Sequence, residues 1–172
     1  MNIGLIDVDG HNFPNLCLMK ISAWHKSQGD NVEFWDGFKH YDKVYMSRVF
    51  TDEYTDDMNF CINADEVSKG GTGYDLENKL PNEIEHICPD YSLYPQFNEA
   101  YGFLTRGCPR GCKFCIVGQK EGLCSKKVAD LSEFLRGQKI IKLLDPNLLA
   151  CKDHVELLHQ LADSKAEVDF TQ

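Results

Sequence analysis

The chain predicts an α/β protein made of two successive units, each with strands and helices alternating around a parallel sheet. Three observations predict it. Apolar runs rich in β-branched and aromatic residues and bounded by turn residues recur in both halves. Segments with apolar residues at helical spacing lie between those runs. A stretch punctuated by Pro81, Pro89 and Pro95, with Asn and Asp between, separates the halves. The 172 residues have room for one ordinary domain or two small ones. A composition of 42% hydrophobic and 26% charged residues is that of a globular chain, not a disordered or fibrous one.

In the first half, Asn2-Ile3-Gly4-Leu5-Ile6-Asp7-Val8 reads as a buried strand. Pro14 suits the first turn of a helix that carries Leu16, Met19 and Ala23 on one face and stops near Gly29. Val32–Trp35 and Lys43–Ser47 are further strands, and Glu66–Gly71 is a shorter one that runs into Gly70-Gly71-Thr72-Gly73. Such a glycine-rich end either lets backbone approach a ligand closely or makes a tight turn. These elements place a first unit at 1–80, a linker at 81–99 and a second unit at 100–172.

In the second half, Ala100–Thr105 reads as a strand, followed directly by a cysteine-bearing loop. Val128, Leu131 and Leu135, with Phe134 beside them, predict a helix ended by Gly137. Ile140–Asp145 is a second strand, Val155, Leu158, Leu161 and Ala162 mark a second helix, and Glu167–Phe170 begins a third strand. Strands alternating with helices imply a parallel sheet or barrel, whose chemistry gathers at the carboxyl ends of the strands, where the cysteine loop falls.

Charge and cysteine content narrow the function classes. The net charge of −9 disfavours nucleic-acid binding through bulk charge. No apolar run approaches the roughly 20 residues of a membrane span, and the first residues lack a signal peptide's basic start and apolar core. A cytoplasmic location with no membrane partner is the expectation. Residues 51–100 carry twelve acidic side chains against Lys69 and Lys79, whereas residues 105–127 carry six basic ones against Glu121 alone. The basic island is either an anionic-ligand site or a solvated face.

Cysteines cluster in that island. Of the eight, five stand singly and read as small buried apolar residues. Cys108, Cys112 and Cys115 fall within eight residues, flanked by Gly107 and Gly111, which let the loop curl, and by Arg and Lys, which favour thiolate. A structural zinc needs a fourth ligand, for which Cys124 is available. An iron–sulfur cubane ordinarily takes four cysteines, so three leave one iron open to another ligand.

The segment Cys108-x-x-x-Cys112-x-Phe114-Cys115 resembles the signature of the radical S-adenosylmethionine superfamily. The resemblance implies a four-iron four-sulfur cluster on Cys108, Cys112 and Cys115, with S-adenosylmethionine chelating the fourth iron through its amino and carboxylate groups. It further implies a reducing electron donor, and cleavage of the sulfonium to methionine and a 5′-deoxyadenosyl radical that abstracts hydrogen from a substrate. The cofactor then carries the hard chemistry, and no catalytic side chain is assigned beyond the cluster ligands. Asp145 and Asn147, after the second strand, stand where the family often contacts the amino group of S-adenosylmethionine, although the usual Gly-Gly-Glu is absent. Turn formation or helix capping is the alternative for both. Gly118 and Glu121-Gly122 follow the loop and read as a turn or as part of the site.

The first half resembles the cobalamin-binding-type Rossmann domain that precedes the barrel in one subgroup of that superfamily. Asp9-Gly10-His11-Asn12-Phe13-Pro14 partly meets the subgroup's Asp-x-His-x-x-Gly fingerprint, with Pro14 in place of glycine. Ser47-Arg48-Val49 stands where that fold has Ser-x-Leu, and Gly70-Gly71 where it has Gly-Gly. The resemblance thus makes His11, Gly70 and Gly71 candidate cobalamin contacts, while His11 as a polar loop residue is the alternative, since many members keep the fold without the ligand. From Tyr101 to Gln172 there are 72 residues, about two and a half units at roughly 30 residues per βα unit. The family's barrel usually has six units, so an incomplete barrel is expected, active as part of a longer or completed chain. A non-catalytic iron–sulfur or zinc module and an inactive remnant are the other readings.

Overall fold

The computed structural model describes residues 1–10, 13–57 and 61–170. The chain is a mixed α/β protein with parallel sheets, and it divides into two compact units, the first ending at Pro95 and the second beginning at Gln96.

The first unit opens with β1 (Asn2–Asp7), which leads into α1 (Leu16–Ser27) and then β2 (Asn31–Phe34), β3 (Tyr41–Ser47) and β4 (Ala64–Gly70). The strands form one parallel sheet in the order β2-β1-β3-β4. Residues 3–6 of strand β1 are buried because both its faces are covered. Ile3 and Leu5 pack with Leu18 and Ile21 of α1, and Ile6 on the opposite face packs with Tyr41, Val44 and Met46. Fully burying each such aliphatic side chain stabilises the fold by about 1.5–3 kcal/mol. Helix α1 begins at Asn15, whose side chain accepts the N–H of Leu18. Its buried face runs Leu16, Leu18, Met19, Ile21, Ser22 and His25, and Ala23 is only half-buried. His25 keeps partners inside, with Nδ1 at 2.6 Å from Asp30 and Nε2 at 3.0 Å from the Tyr45 hydroxyl.

Residues 35–40 return the chain from β2 to β3 without a helix, although parallel crossovers ordinarily need a dozen or more residues. The link is held by Trp35 N–H on the Leu5 carbonyl and by the Tyr41 hydroxyl, which accepts from Asp36 N–H and lies 2.9 Å from Glu33.

Residues 81–95, expected to form a linker, pack onto this unit instead. Helix α2 (Asn82–Glu85) places Ile84 in the core with Ile3 and Leu5. Asp90 donates its N–H to the Met19 carbonyl and accepts from Ser22 and Lys26 at 2.6 Å each.

The second unit contains β5 (Ala100–Gly102), a two-stranded hairpin of β6 (Thr105–Arg106) and β7 (Lys126–Lys127) with short helix α3 (Val117–Lys120) between them, then β8 (Ile140–Leu143), α4 (His154–Ser164) and β9 (Glu167–Phe170). Strands β5, β8 and β9 are parallel in the order β5-β8-β9, and β6 and β7 are antiparallel. The buried face of α4 is Leu157 and Leu161, while Val155 and Ala162 point outward.

The helix expected over Val128–Leu135 is absent; only a single 3-10 turn, Leu131–Glu133, forms there. Tertiary contacts outcompete helical spacing. Val128 N–H bonds the Leu104 carbonyl, Leu131 N–H bonds the Gln160 side chain, and the Phe134 ring lies flat on Gly102, where a Cβ would sit 2.5 Å from it. The expectation that the single cysteines are buried also fails for most: Cys151 is buried, Cys88 is half-buried, and Cys17, Cys61 and Cys124 are exposed.

Candidate functional site

The cysteine loop hangs between the arms of the β6–β7 hairpin, just beyond the carboxyl end of β5. Asp145, which follows β8, positions it. Its fully buried carboxylate accepts the N–H of Leu104 at 2.9 Å, the N–H of Thr105 at 2.6 Å and the Thr105 hydroxyl at 2.6 Å. Burial pushes the Asp145 pKa upward, with these hydrogen bonds opposing. Both carboxylate oxygens are engaged by the chain's own backbone, so Asp145 acts on the site by pinning the root of the hairpin.

Within the loop, Cys108 N–H bonds the Gly122 carbonyl and Cys115 N–H bonds the Cys112 carbonyl. Gly107 has φ of +88°, and a Cβ there would meet the Cys124 carbonyl at 2.3 Å, so the approach of the two arms requires glycine. Glu121 closes the loop from the other side. Its carboxylate takes the Arg106 guanidinium at 2.8 Å and the Gly107 N–H at 3.2 Å, while Arg106 stacks 3.9 Å over the Phe103 ring.

The structure brings one pair of expected site residues together. Asn147 directs its side-chain amide at the Cys108 sulfur, 3.5 Å away. An N–H of Arg110 and this amide hold the Cys108 thiol below its ordinary pKa, against a smaller effect of burial. Cys108 is half-exposed, and Cys112 and Cys115 are exposed. Phe114 between them is 91% exposed, and Arg110 and Lys113 face solvent beside it.

The loop offers three thiols as donors, but among the described residues no group of three or more His, Cys, Asp or Glu side chains is gathered as a metal would require. Glu121 is the residue whose part the sequence left undecided. Its signal was its place as the sole acidic side chain in the basic island.

In the first unit, Gly70 ends β4 and Gly71 follows it beside the Arg48 carbonyl, while His11 lies outside the described residues. The chain matches no family model, no curated protein and no solved structure. No helix among the described residues is long and apolar enough to cross a membrane.

Proposed function

We propose that the chain is a radical S-adenosylmethionine protein whose Cys108, Cys112 and Cys115 hold a four-iron four-sulfur cluster. The observation that carries this reading is the placement of the three-cysteine spacing on a loop at the carboxyl end of the first strand of a parallel sheet, with Asn147 from the end of the neighbouring strand directed at the Cys108 sulfur. When bound, the cluster supplies the electron that breaks the sulfonium bond of S-adenosylmethionine.

The chain's own residues do the holding. Asn147 and the Arg110 N–H orient the Cys108 sulfur, Asp145 and Glu121 hold the β6 arm at Leu104–Gly107, and the exposed Arg110 and Lys113 favour an anionic group beside the thiols. A four-thiol structural zinc is the second reading. Its observation is Cys124, whose carbonyl lies against Gly107, next to Cys108.

Anaerobic reconstitution with iron and sulfide decides between them. The cluster reading expects about four irons and four sulfides per chain, lost on Cys112→Ala and kept on Cys124→Ala, with an electron paramagnetic resonance signal that changes when S-adenosylmethionine is added. Preferential zinc retention that depends on Cys124, with no response to S-adenosylmethionine, selects the second reading.

A further inference from the structure

The order β2-β1-β3-β4 reverses its winding between β1 and β3, and in open parallel sheets ligands enter the crevice beyond the strand ends at such a point. Here side chains of the same chain cross that crevice. Asn15 donates from Nδ2 to the Ser47 hydroxyl at the end of β3, at 2.8 Å, and to Asp7 at the end of β1, at 3.3 Å. The Tyr94 hydroxyl donates to the other Asp7 oxygen at 2.5 Å, and its ring stands edge-on to Phe34 at the end of β2. Asn15, Ser47 and Tyr94 are each more than nine-tenths buried.

The loops above are tied in the same way. Asp9 accepts the N–H groups of Val49 and Phe50 at 2.8 and 2.7 Å, linking the segment after β1 to the segment after β3. Arg48, 3% exposed, bonds the Asp52 carboxylate and the Gly73 carbonyl, and so links the segment after β3 to the one after β4.

The glycines have the same explanation. Gly71, at φ +97°, leaves room that the Arg48 carbonyl fills, 2.3 Å from where a Cβ would be, and at Gly73 the Phe50 carbonyl fills the room at 2.1 Å. A glycine pair that served a ligand would open space toward that ligand. Gly71 and Gly73 admit the chain's own backbone, whereas a Cβ at Gly70 would meet only the Asn78 side chain, at 3.6 Å.

We infer that the crevice of the first unit is occupied from within, with Tyr94 and Asn15 standing where a ligand's tail would insert, so that this unit binds no cobalamin. The residues present therefore do not fit the corrinoid that the resemblance of this half implies. The inference concerns the first unit alone and stands or falls independently of the cluster.

Two measurements on the full chain test it. Aquocobalamin is mixed with the protein and the mixture is desalted; the expected protein fraction carries no corrinoid absorbance, and co-elution of corrinoid in proportion to protein overturns the inference. In the second, Tyr94→Phe and Tyr94→Ala are melted with and without phenol. Removing the buried hydroxyl is expected to lower the melting temperature by about 4 °C or more, and phenol is expected to restore stability, saturably, to Tyr94→Ala but not to Tyr94→Phe. Unchanged melting in Tyr94→Phe overturns the plug even if Tyr94→Ala fails to fold.

Discussion

Single residues set the geometry of the cysteine loop, and Gly107 is the most demanding of them. An alanine there is expected to cost about 1–2 kcal/mol from its left-handed backbone alone, with the clash against the Cys124 carbonyl added. Gly107→Ala should therefore lower the denaturant midpoint of the second unit and, if the proposed cluster is held on this loop, the iron content after reconstitution with it, as measured by chemical denaturation and iron assay. Asp90 sets a different dependence. Burial would raise its pKa, but Lys26, Ser22 and Ser92 outweigh burial and hold it below the ordinary aspartate value of 3.8. The stability it contributes is therefore present above that value and lost as pH falls through the lower, folded-state pKa. The gap in melting temperature between wild type and Asp90→Asn should be constant near neutrality and close as pH drops below 3.8, which a pH series of thermal melts would show. The cysteine spacing was legible because its three thiols lie within eight residues. The work of Asp145 was not, because its partners Leu104 and Thr105 lie forty or more residues away and nothing local marks them.

At the level of elements, the strands were the most legible, because alternation and buried runs are local signals. Strand β1 declares itself through Ile3, Leu5 and Ile6, which serve opposite faces. The segment 128–135 shows where such signals stop. Its apolar residues have helical spacing, yet Phe134 is drawn onto Gly102 and Leu131 N–H onto Gln160, so the chain makes one 3-10 turn. If tertiary packing and not propensity shapes this segment, Phe134→Ala should cost about 3–5 kcal/mol. Substituting the exposed Ser132 with the stronger helix former alanine should leave the far-ultraviolet circular dichroism unchanged. Added helical signal in Ser132→Ala would mean that propensity governs the segment after all.

For the whole molecule, composition pointed to two units, but the boundary between them was displaced. Three prolines and a run of polar residues marked 81–99 as connection, since turn residues look the same in a free linker and in a segment bound to a sheet. Burial distinguishes the two: Ile84 completes the core formed by Ile3, Leu5, Leu18 and Ile21, and Leu80 and Leu93 pack against it. Asp90 bonds α1 at Met19, Ser22 and Lys26, and Tyr94 bonds Asp7. A fragment ending at residue 80 would leave the α1 side of that core uncovered and Asp7 without its Tyr94 hydroxyl, whereas a fragment ending at Pro95 keeps every one of these contacts. Residues 1–95 expressed alone should therefore give a dispersed amide spectrum and a cooperative melt, while residues 1–80 should give neither. Limited proteolysis of the full chain should first cut beyond Pro95 and leave Pro89–Pro95 attached to the first unit; early cleavage between Pro81 and Pro89 would show instead that the segment is the linker its composition suggests.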